Sequence, residues 1–309
     1  MTLLIPPRAN QSGLMLLLLS FILGLAASAC LVQVLNAHTM KIERDRKTAI
    51  ALAEAKAALI GRAVADDNRP GSLPCPDRSG DGSADLFAGI HCPAYIGRFP
   101  WKTLGTDHLV DGSDEALWYA LSANYRDHAA AEPINGTAPG SLEVDGASDI
   151  VAIILAPGYP LNRQTGRSSN NVADYLEGEN ADGDNAFSQQ TSSMQNDRLI
   201  TISRSELMAT IAQRVLREVR GDAGQGMAKY FATAAVYPFA DVNGDGNADL
   251  GQLSGNPSYQ SGPDSLFFPG TTLSLLQNNA WFSQIHYAVA GDHKTASLEL
   301  HGKSLAIAP

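Results

Sequence analysis

From Leu14 to Leu35 the chain reads LMLLLLSFILGLAASACLVQVL, an apolar run interrupted only by Ser20, Ser28 and Gln33 and free of Lys and Arg. As a helix it has the length to cross a hydrocarbon core of ~30 Å. Beyond Asn36 the apolar residues thin out to one stripe. Ile42, Ala49, Ala53, Ala57, Ile60 and Val64 recur at helical spacing, and Leu52, Leu59 and Ala63 widen the stripe. Strong helix formers dominate and no proline intervenes before Pro70, so the pattern predicts one continuous helix of roughly 80 Å. Asn68-Arg69-Pro70-Gly71 stops it. The expected organisation is residues 1–13 as a leader, 14–35 as a transmembrane helix, 36–67 as its amphipathic extension and 68–309 as a domain of its own. The expected fold class is α+β, with a long N-terminal membrane-spanning helix whose second half packs on that domain.

Within the domain, Asp114 to about Arg126 reads as a helix, because Leu117, Ala120, Leu121 and Asn124 share a face and acidic residues open the first turn. Residues 129–146 are small, polar and turn-rich, a surface loop. Asp149–Leu155 is a β-branched run ended by Pro157-Gly158, the pattern of a buried strand, with a second strand expected at Leu199–Ile202 in the same sheet. Ser203 and Glu206 make a capping box for a helix to Arg220, with Leu207, Ile211, Val215 (or Leu216) and Val219 on its apolar face. Asn162–Asn196 nearly lacks large apolar residues and reads as the most mobile region. Gly226–Ala240 fits helix or strand, and Ser297–Leu300 with Ser304–Ile307 would form a terminal hairpin around His301-Gly302-Lys303.

A chain of 309 residues, 44% hydrophobic and 17% charged, has the balance of a folded protein. Its net charge of -10 and its pI near 5.1 argue against a nucleic-acid partner. The one basic cluster, Lys41, Arg44, Arg46 and Lys47, sits just beyond the apolar run, as a juxtamembrane anchor would. That flank is more basic than the segment before the run, where Arg8 stands alone, which opposes the positive-inside rule. Cysteine usage places the domain outside the cytoplasm nonetheless. Cys75 and Cys92 bracket an acidic, glycine-rich loop, and a disulfide between them, of the kind made in an export compartment, would contribute ~3 kcal/mol. Cys30 falls inside the apolar run. Two other readings of the N-terminus stay open: Ala27-Ser28-Ala29 fits a signal-peptidase site, and Ala27–Cys30 resembles a lipobox without its usual Leu.

Two stretches carry candidate chemistry. In DRSGDGSAD, Asp77, Ser79, Asp81 and Asp85 occupy positions 1, 3, 5 and 9 of an EF-hand-like loop, with Gly82 at the sharp turn. DVNGDGNAD repeats the spacing with Asp241, Asn243, Asp245, Gly246 and Asp249. Side-chain oxygens at alternate positions converge on one hard cation, so calcium is the expected cofactor. Position 12 is Ala88 in one loop and Gln252 in the other, so the bidentate Glu of a true EF-hand is missing from both. The alternative is an Asx-rich turn whose carboxylates only accept backbone N–H groups. No G-x-S-x-G, H-E-x-x-H, phosphate-binding loop or dinucleotide fingerprint occurs, and the histidines are scattered, so catalysis is not expected. The competing class is a membrane-tethered periplasmic enzyme or ligand-binding protein, with the 162–196 segment as the first place to look for a ligand.

The N-terminal segment, Arg8-Ala9-Asn10-Gln11-Ser12-Gly13 followed at once by Leu14-Met15-Leu16-Leu17-Leu18, resembles that of the type IV pilin and type II secretion pseudopilin family. It shares a basic leader ending in Gly, a membrane helix starting directly after it, and an amphipathic extension. Such prepilins usually carry Phe or Met after the Gly and Glu at the fifth mature position, which here are Leu14 and Leu18. The missing Glu points to a minor or tip subunit. The resemblance covers about the first 66 residues. It implies cleavage between Gly13 and Leu14 by a prepilin peptidase, a pilin-like periplasmic domain anchored by a single pass in a bacterial inner membrane, and other pilin or pseudopilin subunits as partners.

Overall fold

The structure is a computed structural model that describes residues 11–128, 132–162, 164, 167, 169–260 and 266–308; the side chains of residues 11–14, 30, 32, 34 and 37 are outside that description. Helix α1 runs Gln11–Ala65. Most of the leader therefore lies outside the described residues, as do the side chains of Gly13, Leu14 and Cys30.

The expected fold class needs correction. Among the described residues no helix is long and apolar enough to cross a membrane. The architecture is instead mixed α/β with a curled sheet.

The second half of α1 buries Thr48, Ala51, Leu52, Ala55, Leu59 and Ala63, a stripe at helical spacing. Of the stripe anticipated above, Leu52, Leu59 and Ala63 are buried and Ile60 and Val64 half-buried against the core, whereas Ile42, Ala49, Ala53 and Ala57 face solvent. The bulky Leu52 and Leu59 orient the helix, and the alanines on the opposite side carry too little surface to compete. Asp66 then accepts the backbone N–H groups of Asn68 and Arg69 at 2.9 and 2.7 Å, and Gly71 N–H returns to Ala63 O at 2.8 Å, ending the helix.

Strand β1 (Ile96–Arg98) leads through the short helix α2 (Trp101–Leu104) to β2 (Trp118–Leu121). The helix expected at 114–126 is therefore a strand followed by a 3-10 turn at Ala123–Tyr125. Tertiary pairing outweighs its helical pattern: all four residues of β2 are buried, and β2 lies between β1 and the central strand. That central strand, β4 (Ala147–Ala156), follows β3 (Leu142–Val144) through a two-residue turn, Asp145-Gly146, with both φ angles positive. The segment 129–146 thus ends in a hairpin. β6 (Arg198–Ser203) lies along one edge of β4, while β2 and β3 share the other, and β5 (Ala186–Phe187) pairs parallel to β3. Register shifts in both the β3 and β6 pairings bend β4 and curl the sheet.

Helix α3 (Arg204–Arg220) is capped by Ser203 Oγ, which accepts Glu206 N–H at 3.2 Å. After α4 (Gly226–Ala234) comes β7 (Ser254–Gly255), followed by α5 (Gly270–Asn278), β8 (His286–Val289), β9 (Ala296–Leu300) and β10 (Lys303–Ile307). These four strands form an antiparallel sheet in the order β10-β9-β8-β7. Its last hairpin turns at His301-Gly302, both at positive φ. α3 touches both sheets, and one apolar core runs from Ala51 of α1 through α3 to Ile307.

Leu59→Ala should cost ~2–5 kcal/mol in urea unfolding, whereas Ile42→Ala, at a side chain 54% exposed, should stay within ~0.5 kcal/mol. Equal losses at the two positions would place the buried face of α1 elsewhere.

Candidate functional site

The two acidic loops are built alike. Asp77 is fully buried, and its backbone exchanges hydrogen bonds with Arg98 at the end of β1, 3.0 Å outward and 2.7 Å in return. Its Oδ1 accepts Ser79 Oγ–H at 2.9 Å and Gly80 N–H at 2.8 Å, and its Oδ2 accepts Gly82 N–H at 2.6 Å. Asp241 repeats this. It exchanges backbone bonds with Asn256 at 2.9 and 2.7 Å and accepts Gly244 N–H at 2.7 Å and Gly246 N–H at 2.8 Å. A buried carboxylate is tolerated when donors surround it, and both loops supply those donors from their own backbone.

The likeness extends past the loops. A Cβ on Gly97 would lie 2.9 Å from Asp77 O, and one on Gly255 would lie 2.4 Å from Asp241 O, so each loop presses against a strand at a glycine. Gly82 (φ 89°) packs under Trp101, and Gly246 (φ 85°) packs under Tyr259 and Gln260. The carbonyl of Gly82 accepts Lys102 N–H at 2.8 Å, and that of Gly246 accepts Tyr259 N–H at 2.8 Å. The repeated unit is therefore loop, strand and aromatic cover, where the sequence displayed only the loop. Pro100-Trp101 and Pro257-Ser258-Tyr259, each just beyond the paired strand residue, are the signal that could have extended it.

The remaining expected ligands gather unevenly. Asp245 Oδ2 and Asp249 Oδ1 lie 3.3 and 3.4 Å from the Asn243 side-chain amide, so positions 3, 5 and 9 converge in the second loop. Asp249 also accepts Val242 N–H at 2.8 Å. In the first loop Arg78 occupies the corresponding place and forms an ion pair with Asp85, setting a positive charge beside one expected ligand. Backbone N–H groups hold two carboxyls below their usual range: Ser83 N–H does so for Asp81 and Asn247 N–H for Asp245. Among the described residues no group of three or more His, Cys, Asp or Glu side chains is arranged to hold a metal. The geometry is that of closed Asx turns, whose carboxylates accept backbone N–H groups of their own loop.

Cys75 and Cys92 are joined, with an S–S length of 2.02 Å and Cα atoms 5.5 Å apart. Both are buried, so the bridge ties the start of the first loop to the segment leading into β1. Comparison with known proteins gives no match to any family model, curated protein or solved structure.

Gly82→Ala should destabilise the protein by about 1–3 kcal/mol more than Gly89→Ala. Both glycines have positive φ, but a Cβ at Gly82 would lie 2.4 Å from the Trp101 ring whereas one at Gly89 meets nothing within 4 Å. Denaturant unfolding of the two variants reads the difference.

Proposed function

We propose that the chain is a structural subunit of the minor or tip kind in a filament of the type IV pilus or type II secretion pseudopilus class, with its domain in an export compartment. The observation that carries this reading is the contrast within α1. From Thr48 onward it is fixed to the domain, whereas Met15, Leu16, Leu19 and Leu23 are each more than 60% exposed. An apolar helical surface of that extent needs a cover, and helices of neighbouring subunits supply one of matching shape. Gly24, Ala26, Ala27 and Ala29 permit close approach between such helices. The oxidised Cys75–Cys92 pair supports an export compartment. In this reading a prepilin peptidase cuts between Gly13 and Leu14.

Calcium belongs to the same proposal, as a folding ligand of the two acidic loops. The ligands would be Asp77, Ser79, Asp81 and Asp85, and Asp241, Asn243, Asp245 and Asp249, completed by backbone oxygen and water. The second loop is the better of the two, because Val242 stands where Arg78 competes for Asp85 in the first. Without a carboxylate at position 12 affinity should be weak, about 10⁻⁴–10⁻³ M.

Mass spectrometry of the protein from its native host tests the first part: the mature chain should begin at Leu14. A chain beginning at Cys30 would overturn the filament reading. Melting with and without chelator tests the second. At tenfold over the dissociation constant one site should add about 1.4 kcal/mol, and Asp245→Ala should remove the larger share of the shift. The absence of any calcium-dependent shift in the wild type would refute the ion's role.

A further inference from the structure

The connection from β4 to β6 carries two buried carboxyl groups that neither acidic loop contains. Glu177 and Asp197 have relative exposures of 0% and 1%. Each holds the other's stretch of chain. Glu177 N–H donates to Asp197 Oδ2 at 2.8 Å, and Asn196 N–H donates to Glu177 Oε2 at 2.8 Å. Asn180 adds a bond to Asp197 Oδ2 at 3.1 Å, and Gln164 Nε2 adds one to Glu177 Oε1 at 2.7 Å. One atom is left over: Asp197 Oδ1 is buried and accepts no hydrogen bond. Each carboxyl thus accepts a backbone N–H from the other's stretch of chain, and these crossed bonds bring the two side chains together.

Charge makes this arrangement untenable with both carboxylates ionised. Among the described residues, Arg167 is the one cation within 4.0 Å of either group, at 4.0 Å from Glu177 Oε1. It is shared with Glu115, 3.2 Å away. One guanidinium thus serves Glu115 and Glu177, and among the described residues no cation lies within 4.0 Å of Asp197. The other charged groups around the connection are engaged elsewhere. Asp145 accepts Ser188 Oγ–H and Gln189 N–H, Asp111 accepts Gly158 N–H, Arg98 stacks on Tyr175 at 3.9 Å, Arg198 pairs with Asp45 at 2.9 Å, and Asp174 accepts Ser169 Oγ–H. Glu179, Asp182 and Asp184 are exposed or half-exposed on the outer side of the same connection.

We propose that Glu177 and Asp197 share one proton, carried on Asp197 Oδ1 and donated to Glu177, and that this proton is a pH-sensitive latch holding the 169–197 stretch closed. The proton converts the one unpaired acceptor into a donor and removes one of the two facing charges. Burial first, and the Glu177 charge second, push the Asp197 carboxyl up to about 8. An unfolded Asp titrates near ~3.9, so from there up to about 8 the native state binds the extra proton. Stability contributed by the latch is complete below that window, falls as pH rises through it and is gone above it.

Hydrogen exchange and urea unfolding of the full chain at about pH 6 and about pH 9 test the latch. Protection factors at residues 177–197 should fall about tenfold or more relative to those in α3, and the unfolding midpoint should drop. Asp197→Asn places an N–H donor where the proton sits and should keep the connection protected at both pH values. Glu177→Gln removes the second charge and should flatten the profile in the same way, which keeps the test decisive if the first variant folds poorly. A wild-type profile that matches Asp197→Asn would overturn the proposal. So would magnesium or calcium restoring protection at high pH in the wild type but not in Asp197→Asn, because Oδ1 would then be a cation ligand.

Discussion

The half of α1 that begins at Thr48 is the surface on which the first sheet and α3 are assembled. Its buried stripe alternates Ala51, Ala55 and Ala63 with Leu52 and Leu59, so the helix approaches β4 and β6 closely at the alanines and fills the gaps with leucine. α3 lies alongside it and carries the same core to the second sheet. Removing apolar area at Leu59 would therefore be felt well beyond the helix, because one continuous cluster has no internal boundary at which a loss could be contained.

That helix must also end inside the protein, which creates a polar problem at its C-terminus. Arg214 of α3 donates to the carbonyls of Val64 and Asp66, groups that α1 itself cannot satisfy. Arg69 sits in the break beyond and donates to the carbonyls of Asn124, Arg126 and Glu132. Burial first, and the neighbouring Arg126 charge second, bring the Arg69 guanidinium down to about 10. These two arginines join the helix end to α3 and to the turn after β2, so polar satisfaction and apolar packing fix the same geometry.

Three buried aspartates show how differently one residue type can be accommodated. Asp77 and Asp241 are each wrapped by backbone N–H groups of their own loops, a solution local enough to be encoded in nine residues and used twice. Asp197 instead faces a second carboxylate from a segment twenty residues earlier, with one oxygen unpaired. The first arrangement favours the ionised group and the second opposes it.

Local patterns were enough for whatever a short stretch decides alone. The Ser203–Glu206 cap, the loop glycines at position 6, the His301-Gly302 turn and the closeness of Cys75 and Cys92 all follow from spacing that a few residues impose on their own backbone. The Asp145-Gly146 turn is equally local, an Asp-Gly pair at positive φ inside a polar segment. What the tertiary structure decided is everything that depends on a distant partner. Trp118–Leu121 has a helical pattern and became a strand because β1 and β4 flank it, and the face of α1 was chosen by which side chains met β4 and α3. The strand and aromatic behind each acidic loop, and the meeting of Glu177 with Asp197, likewise have no local signature. Their energies arise from contacts that exist only once the chain has closed.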